Sequence, residues 1–244
     1  MIHCDATNKP TSDVRVRNAL SLAIDRDPLI NVVLKNYYIK AQSILPPDIA
    51  GHNPGAALTG GIEKAKQLMA EAGFPNGQGF PSDFTVVYSS ASVTKTILEY
   101  IQNEWKKNLN INVQLQAMDS KGYTAWRSAR ATQPFNLYYG GWGSDYGDPS
   151  NWHNFLFSSQ TDFYHTHWKN DQFESMIAKA KRMTDVTART KMYQDAETIL
   201  VQQGASIPIN YNQFFAVTKP TLQGVYHPAV LGTYPRLKFM SVTK

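Results

Sequence analysis

Cysteine is almost missing from this sequence: Cys4 stands alone among 244 residues. A single thiol excludes an intrachain disulfide and leaves the redox compartment open. Cys4 also lacks the preceding apolar run of a lipid-modified cysteine. No apolar stretch is long enough to span a bilayer. The opening Met1-Ile2-His3-Cys4-Asp5 shows no basic n-region followed by an apolar h-region, so no signal peptide is expected in this chain. Dense basic tracts are lacking too. The formal net charge of +5 is spread along the chain, which argues against a nucleic-acid partner. Neither the phosphate-loop nor the dinucleotide-binding glycine pattern occurs, and no cofactor is expected. A nucleophile elbow needs Gly-x-Ser-x-Gly, and Gly141-Trp142-Gly143-Ser144-Asp145 has the wrong order.

What remains is an ordinary globular composition, 42% hydrophobic and 18% charged, in a chain long enough for one large domain or two small ones. The stretch from Phe135 to Phe157, FNLYYGGWGSDYGDPSNWHNFLF, stands out. Its apolar start, Phe135, Leu137, Tyr138 and Tyr139, reads as a buried strand. Gly140, Gly141 and Gly143 then mark a loop whose backbone can come close to another group. Trp142, Asp145 and Tyr146 place one carboxylate among aromatic rings. That combination suits an amine-bearing ligand, through charge-assisted hydrogen bonds and attraction of cations to ring faces. On composition alone, a surface turn with Asp145 and Asp148 solvated and Trp142 filling a core is the preferred reading.

Helical spacing covers residues 13 to 25 with Ser12 or Asp13 as cap, and Asp27-Pro28 opens a second helix through Leu34. Residues 40 to 60 are loop-like. Ile62 to Ala72 form a helix stopped by Gly73 and Pro75. Phe84 to Tyr88, a helix from Val93 to Trp105, and the alternating Ile111 to Ala117 follow as strand, helix and strand, a span suited to a crossover unit. Residues 120 to 130 are helical and feed the central strand. Two amphipathic helices come next, using Phe173 to Ala180 and Met192 to Leu200, with Gly204 closing the second. Ile207-Pro208-Ile209 is extended, and everything beyond Tyr211 is irregular or extended. Such alternation argues an α/β lobe with helices covering a small sheet.

His165 and His167, with His153 as a third ligand, offer a weak zinc reading; a solvated loop is preferred for them. Paired carboxylates Asp145 and Asp148 could do acid/base work, but nothing places them across a cleft. A small metal-dependent hydrolase is the alternative from another class.

Several segments line up with one family. Asp13 to Arg26 (DVRVRNALSLAIDR), Glu63 to Pro75 (EKAKQLMAEAGFP), Trp105 to Ile111 (WKKNLNI) and Gly141 to Tyr146 with Asp148-Pro149 (GWGSDY, DP) resemble, in this order, the extracellular solute-binding proteins of family 5, the oligopeptide and dipeptide receptors of ABC importers. The resemblance runs from about residue 9 to about residue 217. It implies a periplasmic-binding-protein-like (type II) lobe with a small mixed sheet and an extended C-terminal tail. Residues 1–210 would be the C-terminal ligand-binding lobe. Residues 211–244 would be a tail that crosses the hinge to an N-terminal lobe not found in this sequence.

By the same resemblance, Asp145 would hold a peptide's α-ammonium group and the backbone at Gly141 and Trp142 would pair with its main chain. Tyr146 belongs to the same motif. Tyr123, Arg130 and Tyr211 fall at positions that face the ligand, with Ser90 and Thr94 as further positions on a strand-to-helix loop. Where an oligopeptide binder carries an arginine just before the Gly-Trp pair, this chain has Tyr139. Asn110 replaces a usual glycine, a change that the left-handed conformation tolerates. The implied partners are an oligopeptide and, for the whole receptor, a membrane permease, in a periplasmic or extracellular setting with membrane anchoring in the parent family. Within the family, a metal-chelate or haem-type solute is the alternative. The affinity of this polypeptide by itself is expected to be weak, because a cleft desolvates its ligand only when both lobes close. The tail is expected to fold back, stay mobile, or self-associate through an exposed edge.

Overall fold

Side-chain caps set the helix starts. Asp13, Asp25, Asp119, Asn170 and Asp185 each accept a main-chain N–H from the first turn of the helix that follows. The computed structural model describes residues 1–90, 93–204, 206–213, 215, 217–225 and 239–243. In chain order these form β1 (Ile2–Cys4), α1 (Val14–Leu22), α2 (Arg26–Pro28), β2 (Tyr38–Lys40), α3 (Gly61–Glu71), β3 (Thr85–Ser89), α4 (Val93–Leu109), β4 (Gln114–Met118) and α5 (Ser120–Ala129). They continue with β5 (Leu137–Tyr139), α6 (Asp171–Ala180), α7 (Val186–Gln203), β6 (Ser206–Ile207), β7 (Asn210–Asn212), β8 (Leu222–Gln223) and β9 (Ser241–Val242).

The second helix differs from its expected start. Asp25 is the cap, accepting from Asp27 N–H at 3.1 Å, so Asp27 and Pro28 lie inside the first turn. Capping one residue pair earlier still leaves Pro28 where its missing N–H costs nothing. A single π-turn, Leu29–Val33, continues the segment. Asn110 adopts φ +56°, as the glycine-to-asparagine exchange requires.

Five strands form one mixed sheet in the order β4-β3-β5-β1-β6. β3 runs parallel to β4 and β5, while β1 is antiparallel to β5 and β6. Strand alternation sorts side chains to two cores. Val86 and Tyr88 of β3 and Leu137 of β5 join α1, α3 and α4 on one face. Val87 and Tyr138 join α6, α7 and the segment around Ile44, Leu45 and Ile49 on the other. A separate ribbon pairs β2 with β7, so the expected boundary at 210/211 runs through a paired strand. β8 pairs with β9; of the tail's apolar positions, Val217 and Phe239 are exposed, Leu222 and Val225 are half-buried, and Tyr226, Leu231, Tyr234 and Leu237 lie outside the described residues.

Candidate ligand-binding site

A cavity of about 900 Å³ opens where β3 and β5 end. Both are parallel strands, and Ser89, Tyr139 and Gly140 at their carboxyl ends line it together with Val93 and Thr94 at the start of α4. Crevices outside the carboxyl ends of parallel strands are where α/β sheets commonly hold ligands. The opposite wall is the β2–β7 ribbon, with Tyr38 and Tyr211, and the segment from Ala41 to Ile49.

Gly140 to Ser144 form a ledge along this cavity. A Cβ at Gly140 would meet His3 Nε2 at 3.2 Å and Tyr138 Cε2 at 3.3 Å, so the close packing of the strand end requires glycine there. Gly141 and Gly143 face open space. Among the described residues, the main-chain groups of Gly141, Trp142 and Gly143 make no hydrogen bond. The ledge therefore presents free donors and acceptors.

Asn151, absent from the sequence-based set, organises the ledge. It is buried, its Oδ1 accepts from Trp142 Nε1 at 2.9 Å and from Asp145 N–H at 2.9 Å, and its Nδ2 donates to Asp145 Oδ2 at 3.1 Å. Asp145 is exposed and sits one residue past the cavity-lining Ser144; its Oδ1 has no partner among the described residues. Trp152 Nε1 donates to Ser144 Oγ at 2.7 Å.

Tyr123 donates to Tyr139 O at 2.7 Å and Tyr211 donates to Ser43 O at 2.7 Å. Burial pushes both phenols up to about 12, so they remain neutral hydroxyls. Tyr139 donates to Asn210 Oδ1 at 3.0 Å, tying β5 to the ribbon. Of the positions expected from the sequence, Gly141, Trp142, Tyr123, Tyr139, Tyr211 and Thr94 come together around the cavity. Asp145, Ser90, Tyr146 and Arg130 do not line it. Ser90 is exposed beyond β3, with Ser89 at the wall instead; Tyr146 is exposed; Arg130 turns back to Trp126 O, Pro134 O and Gln133 Oε1 as α5 ends. Arg127, one helical turn from Tyr123, takes the place at the wall.

His165 and His167 lie partly exposed on a loop, whereas His153 does not. His153 is fully buried, with Nε2 2.7 Å from Glu197 Oε2, and His167 Nδ1 lies 3.2 Å from Asp5 Oδ1. His153 departs from the loop expectation because the π-turn 153–157 packs it under α7. Among the described residues no cluster of three His, Cys, Asp or Glu side chains is placed to hold a metal.

Asp148 caps the turn after the ledge and takes a two-pronged contact from Arg189, at 2.7 and 2.8 Å. Burial raises its pKa, but hydrogen bonds from Arg189 and Ser150 outweigh this and bring it down to about 2. The folded value lies below the unfolded one of about 3.9. The stabilisation is therefore complete above about pH 4 and is lost as pH falls toward about 2. After allowance for solvent screening it amounts to about 1 kcal/mol. Thermal unfolding between pH 5 and 2 should show this loss in the wild type and a flatter curve in Asp148→Asn.

Comparison with known proteins places this geometry. The fold is shared with periplasmic binding proteins: the murein tripeptide binding protein MppA of Escherichia coli superposes with a TM-score of 0.82 at 27% identity, over 100% of this chain and 48% of that one. The family model for bacterial extracellular solute-binding proteins, family 5 (middle part), matches residues 1–164. The chain belongs to that family. It is 32% identical to the periplasmic oligopeptide-binding protein OppA of Salmonella typhimurium, over 88% of this chain and 40% of OppA. It is also 32% identical to the probable deoxycholate-binding periplasmic protein YgiS of Escherichia coli, again over 88% of this chain and 40% of that protein. The chain thus spans about two fifths of the length of these curated relatives. No described helix is long and apolar enough to cross a membrane.

Proposed function

We propose that the chain binds a peptide in extended form, as the ligand-holding part of a receptor that delivers solute to the permease of an ABC importer. Residues 1–210 then form the ligand-binding lobe, and residues 211–244 join it to the remainder of the receptor. A periplasmic or extracellular location, with a membrane anchor in the parent family, goes with this role.

The free ledge at Gly141, Trp142 and Gly143 carries the reading. Main-chain groups that lack partners beside an open cavity can pair with an extended ligand as an added strand would, which recognises the backbone whatever its side chains. Aromatic walls with room for hydrated side chains fit the same ligand. Asp145, with one carboxylate oxygen open at the ledge's end, supplies a partner for the peptide's ammonium group.

Because Asp145 is exposed, its ion pair contributes about 0–1 kcal/mol. Nuclear magnetic resonance titration of the chain with a tripeptide and its N-acetylated form is the test. The expected result is weak binding, with the free amine preferred by up to about fivefold and the preference lost in Asp145→Asn. Equal binding of both forms would remove Asp145 from the site, and absence of any peptide binding at millimolar concentration would remove the peptide reading.

A further inference from the structure

Among the described residues, Arg127 is the only cationic side chain on the wall of the cavity, and no ion pair engages its charge. It projects from α5 one turn beyond Tyr123 and is half-buried. Among the described residues it makes no hydrogen bond and no ion pair. Its guanidinium lies over the Phe163 ring at 4.9 Å, and Phe163 in turn packs edge-on against Trp142 at 5.0 Å. This stack fixes the cation beside the ledge while leaving its N–H donors unspent. Other buried or half-buried arginines differ: Arg17, Arg26 and Arg130 each donate to several carbonyl oxygens, and Arg189 clasps Asp148. Asp48, the one acidic side chain of the wall among the described residues, is exposed and makes no ion pair with Arg127.

We infer that Arg127 receives a carboxylate of the bound solute, so that this receptor selects ligands with a free carboxyl group near the ledge. A half-buried guanidinium loses hydration without return unless an anion meets it, and a carboxylate matches its fork with two parallel hydrogen bonds. The field of Arg127 reaches the neighbouring phenols, opposing the rise that burial causes at Tyr123 and Tyr138. Tyr139 at the end of β5 carries no charge, and α5 brings a cation to the cavity from another element. For a peptide, the group bound is the C-terminal carboxylate or an acidic side chain. In that form the inference rests on the peptide reading, although Arg127 would serve any carboxylate solute.

Two ligand pairs separate the possibilities: a tripeptide as free acid and as C-terminal amide, and indole-3-acetate with indole-3-acetamide. Each is titrated into the full chain, wild type and Arg127→Gln, with the tryptophan indole resonances as readout. The Arg127 side chain makes no hydrogen bond among the described residues, so the variant is expected to fold. The expected result is an acid form that binds the wild type about tenfold more tightly than its amide, with equal binding in Arg127→Gln and unchanged affinity for the amide. Arg127→Lys should retain part of the preference, because the charge remains and the fork is lost. Equal binding of acid and amide by the wild type, or a preference that survives in Arg127→Gln, overturns the assignment and leaves the peptide reading standing. Binding of indole-3-acetate alone, lost in Arg127→Gln, supports Arg127 and sinks the peptide reading. If neither acid binds the wild type, both fall.

Discussion

Replacing Glu197 with alanine is expected to destabilise the protein by about 3–5 kcal/mol, the cost of removing one partner from a buried ionisable pair. The carboxylate is fully buried on α7 and serves three groups. Oε2 meets His153 Nε2 at 2.7 Å, while Oε1 accepts the main-chain N–H groups of Ile44 and, at 3.1 Å, Leu45. Alanine would leave an imidazole and two amides without acceptors inside an apolar core, and each orphaned group costs about 1–3 kcal/mol. Urea denaturation should show the midpoint fall with little change in slope. Glu197→Gln keeps one acceptor oxygen and should cost clearly less. A loss below 1 kcal/mol for the alanine variant would mean that water replaces the carboxylate.

The consequence reaches the cavity. Ile44 lines its wall, and Ser43, beside it, is fastened to Tyr211. Glu197 therefore ties α7 to the loop that faces the ledge, while His153 anchors the turn that follows the ledge. One side chain holds both walls at their separation. Ligand affinity in Glu197→Ala should fall even under conditions where the variant remains folded.

Much of this fold was legible in the chain. The apolar run at Phe84 to Tyr88, the cap at Asp13 and the stops at Gly73 and Gly204 all act locally, through composition or a single turn's chemistry. That a loop follows the apolar run was legible for the same reason, through Gly140, Gly141 and Gly143. What escaped was non-local. Glu197 looks like any helical glutamate until α7 is packed, and nothing in its neighbours tells that His153, 44 positions earlier, will be beneath it. Arg127 and Arg130 lie three residues apart on one helix. The choice between them was made where α5 ends, because Arg130 bends back to the carbonyls of Trp126 and Pro134 and so leaves the cavity to Arg127. Asn151 sits two residues past a recognisable motif, yet only the folded turn aligns its amide with both Trp142 and Asp145.

Asn151→Ala should therefore damage the ledge more than any change on its surface. Three hydrogen bonds vanish together: two that hold Trp142 and Asp145 through Oδ1 and one that orients the Asp145 carboxylate through Nδ2. At about 1 kcal/mol net for each bond, with an added penalty for donors left unpaired, the expected loss is about 3 kcal/mol. Trp142 should gain mobility, seen as altered tryptophan fluorescence, and ligand affinity should drop more than tenfold as the preformed ledge becomes one of several loop conformations. Asn151→Asp separates packing from charge. Its carboxylate can still accept from Trp142 and from the Asp145 amide, but it sets a second negative charge within hydrogen-bonding range of Asp145. Like charges at that distance raise the pair's affinity for a proton in the folded state. The variant should be weakest near neutral pH and regain stability as pH falls and the two oxygens share a proton, whereas the alanine variant should show no such recovery. Equal pH profiles for the two variants would mean that Asp145 points away from position 151 in solution, and the ledge would then owe its shape to the glycines alone.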